Sequence, residues 1–329
     1  MVAAPLLSVI ICNSDSADYT LGCIASLYAH PPAGPLEIIL VDNASRDGCV
    51  EQVRERFPAV QVLVAPQRQG FSRNYNLGLA RARGEYLFVL NNDTLVAAGT
   101  LQALIDAMAA EPAYGMVGPL MLGIDGRPQL PCLRPLPTIA SYVLQQLALD
   151  PGMPTGVLWQ RLEQRRIAAH LGGPVPCISG AAMLLSRRSL ELVGPLDEAY
   201  DFYYEDIEWC HRTQQRGLLV GYVPGSQLLH FGGQSSMKVK GWARQREHLS
   251  ALHYFREYRG AGPSGLAVVR LATILGFLLR GLGFLLAEAL DGKRRFARDY
   301  LYLWHWLLTR PQTDEEVPAA QPAAVEGPQ

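Results

Sequence analysis

Over residues 6–122, short apolar runs alternate with segments of helical periodicity, and that rhythm leaves few architectures open. Leu6–Cys12, Glu37–Asp42, Val60–Ala65, Glu85–Asn91 and Met116–Leu122 are short, β-branched or aromatic, and bounded by turn residues, which predicts strands. Between them Tyr19–His30, Asp47–Phe57, Phe71–Arg83 and Thr100–Ala110 carry apolar residues at helical spacing, with Ser45 or Asp47 expected to cap the second helix. A βαβ series of this kind predicts an α/β protein with a doubly wound, mostly parallel sheet. Ligands of such sheets bind beyond the carboxyl ends of the strands, where Asp42 and Asp93 fall.

After residue 122 the pattern weakens. Proline-rich loops from Asp125 to about Gly173, with helical patches at Ile139–Leu149 and Trp159–His170, read as an acceptor-facing insertion. Regular structure returns with an apolar strand at Cys177–Ser186. An acidic segment, Asp197–Glu208, then leads into a helix through Gln215, and a strand at Leu218–Val223 runs on to Leu228-Leu229-His230-Phe231-Gly232-Gly233. The expected organisation is a catalytic domain over 1–240, a helical and membrane-associating region over 241–310, and a disordered tail over 311–329, rich in Pro, Ala and Glu.

Charge and cysteine usage narrow the function classes. A net charge of -1, from 29 basic and 30 acidic residues, gives no field that would draw the chain to nucleic acid. Six cysteines lie singly, without CxxC pairs, as expected of reduced thiols in the cytoplasm. No basic stretch, apolar run and cleavage site opens the sequence, so no secretion signal is read.

Leu266–Leu290 is the most apolar part of the chain. A spanning helix needs about 20 apolar residues, and Arg270, Arg280 and Glu288 interrupt this one. On a helical wheel those three charges and Thr273 share an arc of roughly 80°, which leaves most of the circumference apolar. Lys293, Arg294, Arg295 and Arg298, followed by Tyr300, Tyr302, Trp304 and Trp306, add a basic cluster beside interfacial aromatics. The expectation is peripheral contact with the inner face of the cell membrane. The alternative is a helix packed on the catalytic domain or a partner subunit.

A set of motifs in order carries a specific resemblance. Ser8-Val9-Ile10-Ile11, Val41-Asp42-Asn43-Ala44-Ser45-Arg46-Asp47-Gly48, Gly70-Phe71-Ser72-Arg73-Asn74-Tyr75-Asn76-Leu77-Gly78, Gly84-Glu85-Tyr86, Leu90-Asn91-Asn92-Asp93-Thr94, Ser179-Gly180-Ala181 and Glu205-Asp206 with Arg212 follow one another over about residues 6–235. Together they resemble the family 2 glycosyltransferases, enzymes of the GT-A nucleotide-diphospho-sugar transferase fold, and within them the bacterial rhamnosyltransferase-like members. The resemblance implies an inverting, metal-dependent transfer of rhamnose or another hexose from a dTDP- or UDP-sugar to a glycan or lipid-linked acceptor in cell-surface polysaccharide synthesis.

It also implies roles. Asp42 contacts the nucleoside, with a turn aspartate as the alternative, and Asn76 helps hold the nucleotide side, with plain helix-surface polarity as its alternative. Asn91 and Gly180 belong to the donor site. Asn91-Asn92-Asp93 stands where the family has its DxD motif, so Asp93 is the one strong anionic ligand for Mg²⁺ or Mn²⁺ at the departing diphosphate, and His230 completes the metal shell. Asp206 is the general base that takes the acceptor's hydroxyl proton, with Glu205, Glu208 and Asp201 crowding it. Arg212 is expected to pair with Glu208 four residues before it.

The chain departs from the family at the end of the first strand, where Cys12-Asn13-Ser14-Asp15 replaces an aromatic-then-asparagine pair. Leu196 stands for the usual phenylalanine. Other α/β nucleotide users are disfavoured because the chain has neither GxGxxG after the first strand nor a GxxxxGK[ST] loop. The competing class is a non-catalytic sugar-nucleotide-binding or scaffold protein on the same fold.

Overall fold

The computed structural model describes residues 4–129, 133–147, 165–167, 169–232, 240–291 and 297–309. Most of the patch expected at Trp159–His170, the basic residues Lys293, Arg294 and Arg295, and Cys132, Gly233 and the tail from Pro311 lie outside the described residues. The chain gathers into two compact units: Met1–Leu136, Leu162–Asp201 and Glu205–Met237 form one, and Pro137–Arg161, Phe202–Tyr204 and Lys238–Gln329 the other.

In the first unit β1 (Leu7–Asn13), α1 (Ala17–Ala29), β2 (Leu36–Asp42), α2 (Cys49–Arg56), β3 (Gln61–Val64), α3 (Phe71–Leu79) and β4 (Tyr86–Asn91) follow the alternation read from the sequence. β3, β2, β1 and β4 pair in parallel. Leu7, Val9, Ile10 and Ile11 are all fully buried, as expected of a strand covered on both faces. At the start of the second helix Asp47, one of the two expected caps, accepts from Cys49 N–H at 3.1 Å. Gly48, in the left-handed region at φ 71°, holds the cap position, while the Ser45 hydroxyl is taken up by the Asp15 N–H at 3.1 Å.

Past β4 the sheet becomes mixed. β5 (Thr94–Val96), α4 (Thr100–Ala110), β6 (Tyr114–Leu122), β7 (Gly173–Pro174), β8 (Ala182–Ser186), α6 (Arg187–Val193), α7 (Glu205–Gln215) and β9 (Leu219–His230) complete the unit. The strand order is β3-β2-β1-β4-β8-β6-β9-β5, with β7 on β9. β8 inserts antiparallel between β4 and β6, so β6 is not the direct neighbour of β4 that a simple βαβ series implies. An apolar run carries no direction, and β8 returns after an excursion of some sixty residues. The strand expected from Cys177 begins only at Ala182, because Ala182 N–H closes a turn onto Ser179 C=O at 3.2 Å.

The second unit contains α5 (Ile139–Gln146), α8 (Lys240–Glu257), α9 (Pro263–Asp291) and α10 (Ala297–Thr309). Leu249, Phe277, Leu303, Trp306 and Leu307 form its core, with Ile274, Tyr300 and Trp304 against it. Trp306 is therefore a core residue and not an interfacial one; helical spacing puts it on the same face as Leu303. The polar arc of α9 faces inward. Thr273 Oγ1 lies 2.9 Å from Tyr142 Oη and 3.1 Å from His248 Nδ1, Arg280 donates to Gln146 Oε1 and Gln145 C=O, and Arg270 donates to Leu307 C=O. The opposite arc leaves Val268, Leu271, Leu275, Leu279, Leu282, Leu285, Leu286 and Leu290 exposed.

Candidate active site

The sheet's register brings Asp93 and His230 together. Asn91 ends β4, the Thr94 hydroxyl donates back to Asn91 C=O at 2.7 Å to close a tight turn, and β5 then pairs antiparallel with β9 so that Thr94 faces His230. Phe231 N–H donates to Asp93 C=O at 2.9 Å, locking the next rung. His230 Nε2 stands 3.3 Å from Asp93 Oδ1, and both side chains are mostly buried. Asn92 turns inward, donating to Thr20 Oγ1 at 2.8 Å, so it is a structural member of the motif. Asn91 Oδ1 lies 3.4 Å from the Tyr75 hydroxyl, which donates to Leu90 C=O at 3.0 Å.

The histidine is oriented for a cation. The Gln129 amide nitrogen donates to His230 C=O at 2.7 Å, which turns its oxygen toward His230 Nδ1, also at 2.7 Å. That oxygen only accepts, so Nδ1 is the donor, an arrangement that places the lone pair on Nε2 in the tautomer that binds a cation. Nε2 is buried and has no hydrogen-bond partner among the described residues although a carboxylate faces it. Two electron-rich atoms aimed at one another fit a divalent cation between them. No described group of three or more His, Cys, Asp or Glu is arranged to hold a metal. A cation held by these two would need diphosphate oxygens and water for its remaining positions, as Mg²⁺ sites on nucleotides usually do.

At the end of β2 the polar groups are knitted to one another. Asp42 Oδ1 accepts from Asn13 Nδ2 at 3.0 Å and Oδ2 from Ser45 N–H at 2.9 Å. Asp42 is 2 % exposed, and its two bonds shape the 43–48 loop. The unexpected Asp15 finds partners of its own: Arg68 ion-pairs with it and Arg46 N–H donates to Oδ1 at 2.8 Å. Asn76 holds the chain ahead of α7, donating to Leu196 C=O at 2.8 Å and accepting Leu196 N–H at 3.0 Å. With its amide bonded to Leu196 and Glu198, Asn76 clamps the chain ahead of α7.

Asp206 opens α7 and is built into a cradle. Oδ2 accepts from Gly180 N–H at 2.8 Å and from the Arg134 guanidinium, and Oδ1 from Ile207 N–H at 2.8 Å. A Cβ on Gly180 would come within 3.0 Å of Asp206 Cβ, so glycine at 180 lets the carboxylate approach its backbone. The helix is entered through two successive aromatic residues in the left-handed region, Tyr203 at φ 65° and Tyr204 at φ 70°, a local cost of the kind found at functional sites. Glu208 is tied to Arg212, Nε to Oε1 at 2.6 Å, as expected from their spacing. The like-charge crowding falls on Glu205. Burial, then the charge of Asp206, push its carboxyl up to about 8, against the pull of its own backbone N–H and Arg134, and Oε2 has no partner among the described residues. Burial also holds the Tyr75 phenol well above its usual range, with Asp93 and Glu205 both acting on it, so the two carboxyl clusters share one electrostatic neighbourhood.

Sequence reasoning missed Arg134, Gln129 and Tyr75 as site residues. Arg134 and Gln129 lie in the aperiodic stretch after β6, where bridges from Leu122 to Pro128 and from Leu133 to Ile178, with hydrogen bonds from Gln129 N–H to Met121 C=O and from Arg134 N–H to Cys177 C=O, fix the chain.

The family profile described as Glycosyl transferase family 2 matches residues 8–194, more than half of the chain. The chain belongs to glycosyltransferase family 2. Among its relatives in that family, the N-acetylglucosaminyl-diphospho-decaprenol L-rhamnosyltransferase of Mycobacterium tuberculosis is 29% identical over 230 residues, covering 67% of this chain and 72% of the relative. The low-salt glycan biosynthesis hexosyltransferase Agl10 of Haloferax volcanii is 25% identical over 232 residues, 68% of this chain and 66% of its own. Among solved glycosyltransferases, the mannosyltransferase PcManGT of Pyrobaculum calidifontis, in complex with GDP-Man and Mn²⁺, aligns with a TM-score of 0.54 at 17% identity over 93% of this chain and 86% of that one. GalNAc-T7 with UDP, GalNAc and Mn²⁺ gives 0.52 at 15% identity over 78% and 52%. The fold is GT-A, and the protein is a rhamnosyltransferase-like family 2 glycosyltransferase.

Proposed function

We propose that the protein is a divalent-cation-dependent, inverting glycosyltransferase that passes rhamnose or another hexose from a dTDP- or UDP-sugar to a glycan or lipid-linked acceptor in cell-surface polysaccharide synthesis. The observation that carries the metal and the donor is the buried, unpartnered His230 Nε2 facing Asp93 at the sheet's ligand-binding end. Asp93 and His230 hold the cation, and Asn91 borders the diphosphate. A cation there neutralises the charge that develops on the departing diphosphate. Asp206 takes the proton of the acceptor hydroxyl as its oxygen attacks the anomeric carbon opposite the leaving group, with Gly180 N–H and Ile207 N–H aiming the carboxylate.

α9 supports a lipid-linked acceptor and a membrane location. Pro263–Leu290 is the one described helix long and apolar enough to cross a membrane, with mean hydropathy 1.8. Its polar arc is satisfied by Tyr142, His248 and Gln146, so only the leucine arc is open. An apolar arc this long fits a helix lying on a bilayer with its leucines in the acyl boundary. The mycobacterial relative is named for a decaprenol-linked substrate, which supports a lipid-linked acceptor.

Calorimetric titration of UDP and dTDP, each with Mn²⁺ and with chelator, tests the donor site. One nucleotide is expected to bind only with metal and to lose that binding in Asp93→Ala. Equal binding with chelator, or by the variant, removes the metal from the account.

A further inference from the structure

Arg134 is the charged group on Asp206 that no motif announces. The Leu133–Ile178 bridge and the Arg134 N–H bond to Cys177 C=O at 3.3 Å set its backbone, and the guanidinium reaches the Asp206 carboxylate. The side chain is 32% exposed, and its Nε is buried without a hydrogen-bond partner among the described residues. The cation therefore binds the candidate base with one edge and keeps N–H groups to offer elsewhere. Arg134, Gly180 N–H and Ile207 N–H together occupy both carboxylate oxygens of Asp206, so an acceptor hydroxyl reaches one of them only when a partner moves away.

We propose that Arg134 couples substrate arrival to the proton-accepting step: it rests on Asp206 in the free enzyme and moves to a phosphate of the bound substrate, releasing the carboxylate to act. This rests on the reading of Asp206 as the base. The guanidinium fork suits phosphate, and a phosphate with more charge than a carboxylate competes well for it. Once Asp206 is released, the acceptor's O–H proton passes to its carboxylate oxygen. The hydroxyl oxygen forms the new bond to the anomeric carbon, and the bond from that carbon to the phosphate oxygen breaks with its electron pair leaving on the nucleoside diphosphate.

Arg134 is the cation in contact with Asp206. Glu205, next in the chain, is pushed up to about 8 and is neutral at pH 7. Cys210, one turn further along α7, is held well above its usual range by burial and by its coupling to Cys177, so it too is neutral. Among the groups facing Asp206 from α7, the 133–134 segment and the 177–180 segment, Arg134 alone carries a charge. Removing an adjacent guanidinium raises a carboxyl by about one to three units.

The test compares pH profiles of kcat/KM, which report the free enzyme, with those of kcat, which report the complex, in wild type, Arg134→Lys and Arg134→Met. In the wild type the acid limb of kcat is expected about one unit or more above that of kcat/KM. In Arg134→Met both limbs are expected to coincide at the higher value, and KM for the phosphate-bearing substrate to rise about tenfold or more, with Arg134→Lys restoring part of the loss. Varying the nucleotide sugar at saturating acceptor, and then the reverse, shows whether the phosphate belongs to the donor or to the acceptor. Coincident limbs in the wild type overturn the proposal, and that comparison stands even where Arg134→Met fails to fold. Full transfer by Asp206→Asn overturns the base reading itself, whereas an inactive Asp206→Asn with coincident wild-type limbs overturns the coupling alone.

Discussion

At the scale of single residues the site divides into groups that face a ligand and groups that hold the scaffold, and the two respond differently to substitution. Asn76→Ala is expected to lower stability by about 1–3 kcal/mol, since it leaves Leu196 N–H and C=O unpaired, while nucleotide affinity stays unchanged; thermal unfolding and calorimetry check both. Gln129→Ala frees the His230 ring, and Mn²⁺ affinity is expected to fall about 10–100-fold in a metal titration. Glu205 sets a stability dependence of definite sign. Its folded value of about 8 lies above the ordinary carboxylate value of 4.5, so the stabilisation tied to its proton is complete below pH 4.5 and is lost as pH rises through about 8. Denaturation of the wild type between those pH values is expected to show falling stability, and Glu205→Gln to remove that part of the slope. The sequence made Asp93, His230 and Asp206 legible because motif order singles them out. It did not separate Asp42 and Asn76 from their structural alternatives, because an amide or carboxylate at a strand or helix end reads the same whether it binds backbone or ligand.

At the scale of elements, the parallel half of the sheet was legible because each of its strands is a short apolar run followed by a helix of matching period. The mixed half was not. β5 is three residues long and exists through its pairing with β9, and the direction of β8 is invisible in its composition. That hidden pairing is what sets His230 against Asp93, so the residues were named by motif while their juxtaposition belongs to topology. The approach of α7 to the 179–181 turn is equally an element-level fit. Gly180→Ala is expected to cost about 1–3 kcal/mol in thermal unfolding and to lower kcat more than donor affinity, because the added methyl meets Asp206 Cβ at 3.0 Å and shifts the carboxylate.

For the whole molecule, a near-zero net charge coexists with a helix that bonds its arginines inward and exposes its leucines. Burying a leucine is worth about 1.5–3 kcal/mol, so the double variant Leu279→Ser with Leu286→Ser is expected to cut binding to phosphatidylglycerol–phosphatidylethanolamine vesicles by tenfold or more in a flotation assay. Transfer to a soluble acceptor is expected to stay at the wild-type rate, since neither leucine belongs to the unit that carries Asp93 and Asp206. The central claim is that Asp206 removes the acceptor proton in a sugar transfer from a metal-bound nucleotide. The most direct measurement is the transfer rate of Asp206→Asn at saturating donor and acceptor, with nucleotide affinity measured on the same preparation. The expected result is unchanged nucleotide binding and a rate lowered by about 10²–10⁴-fold. Transfer at the wild-type rate would contradict it.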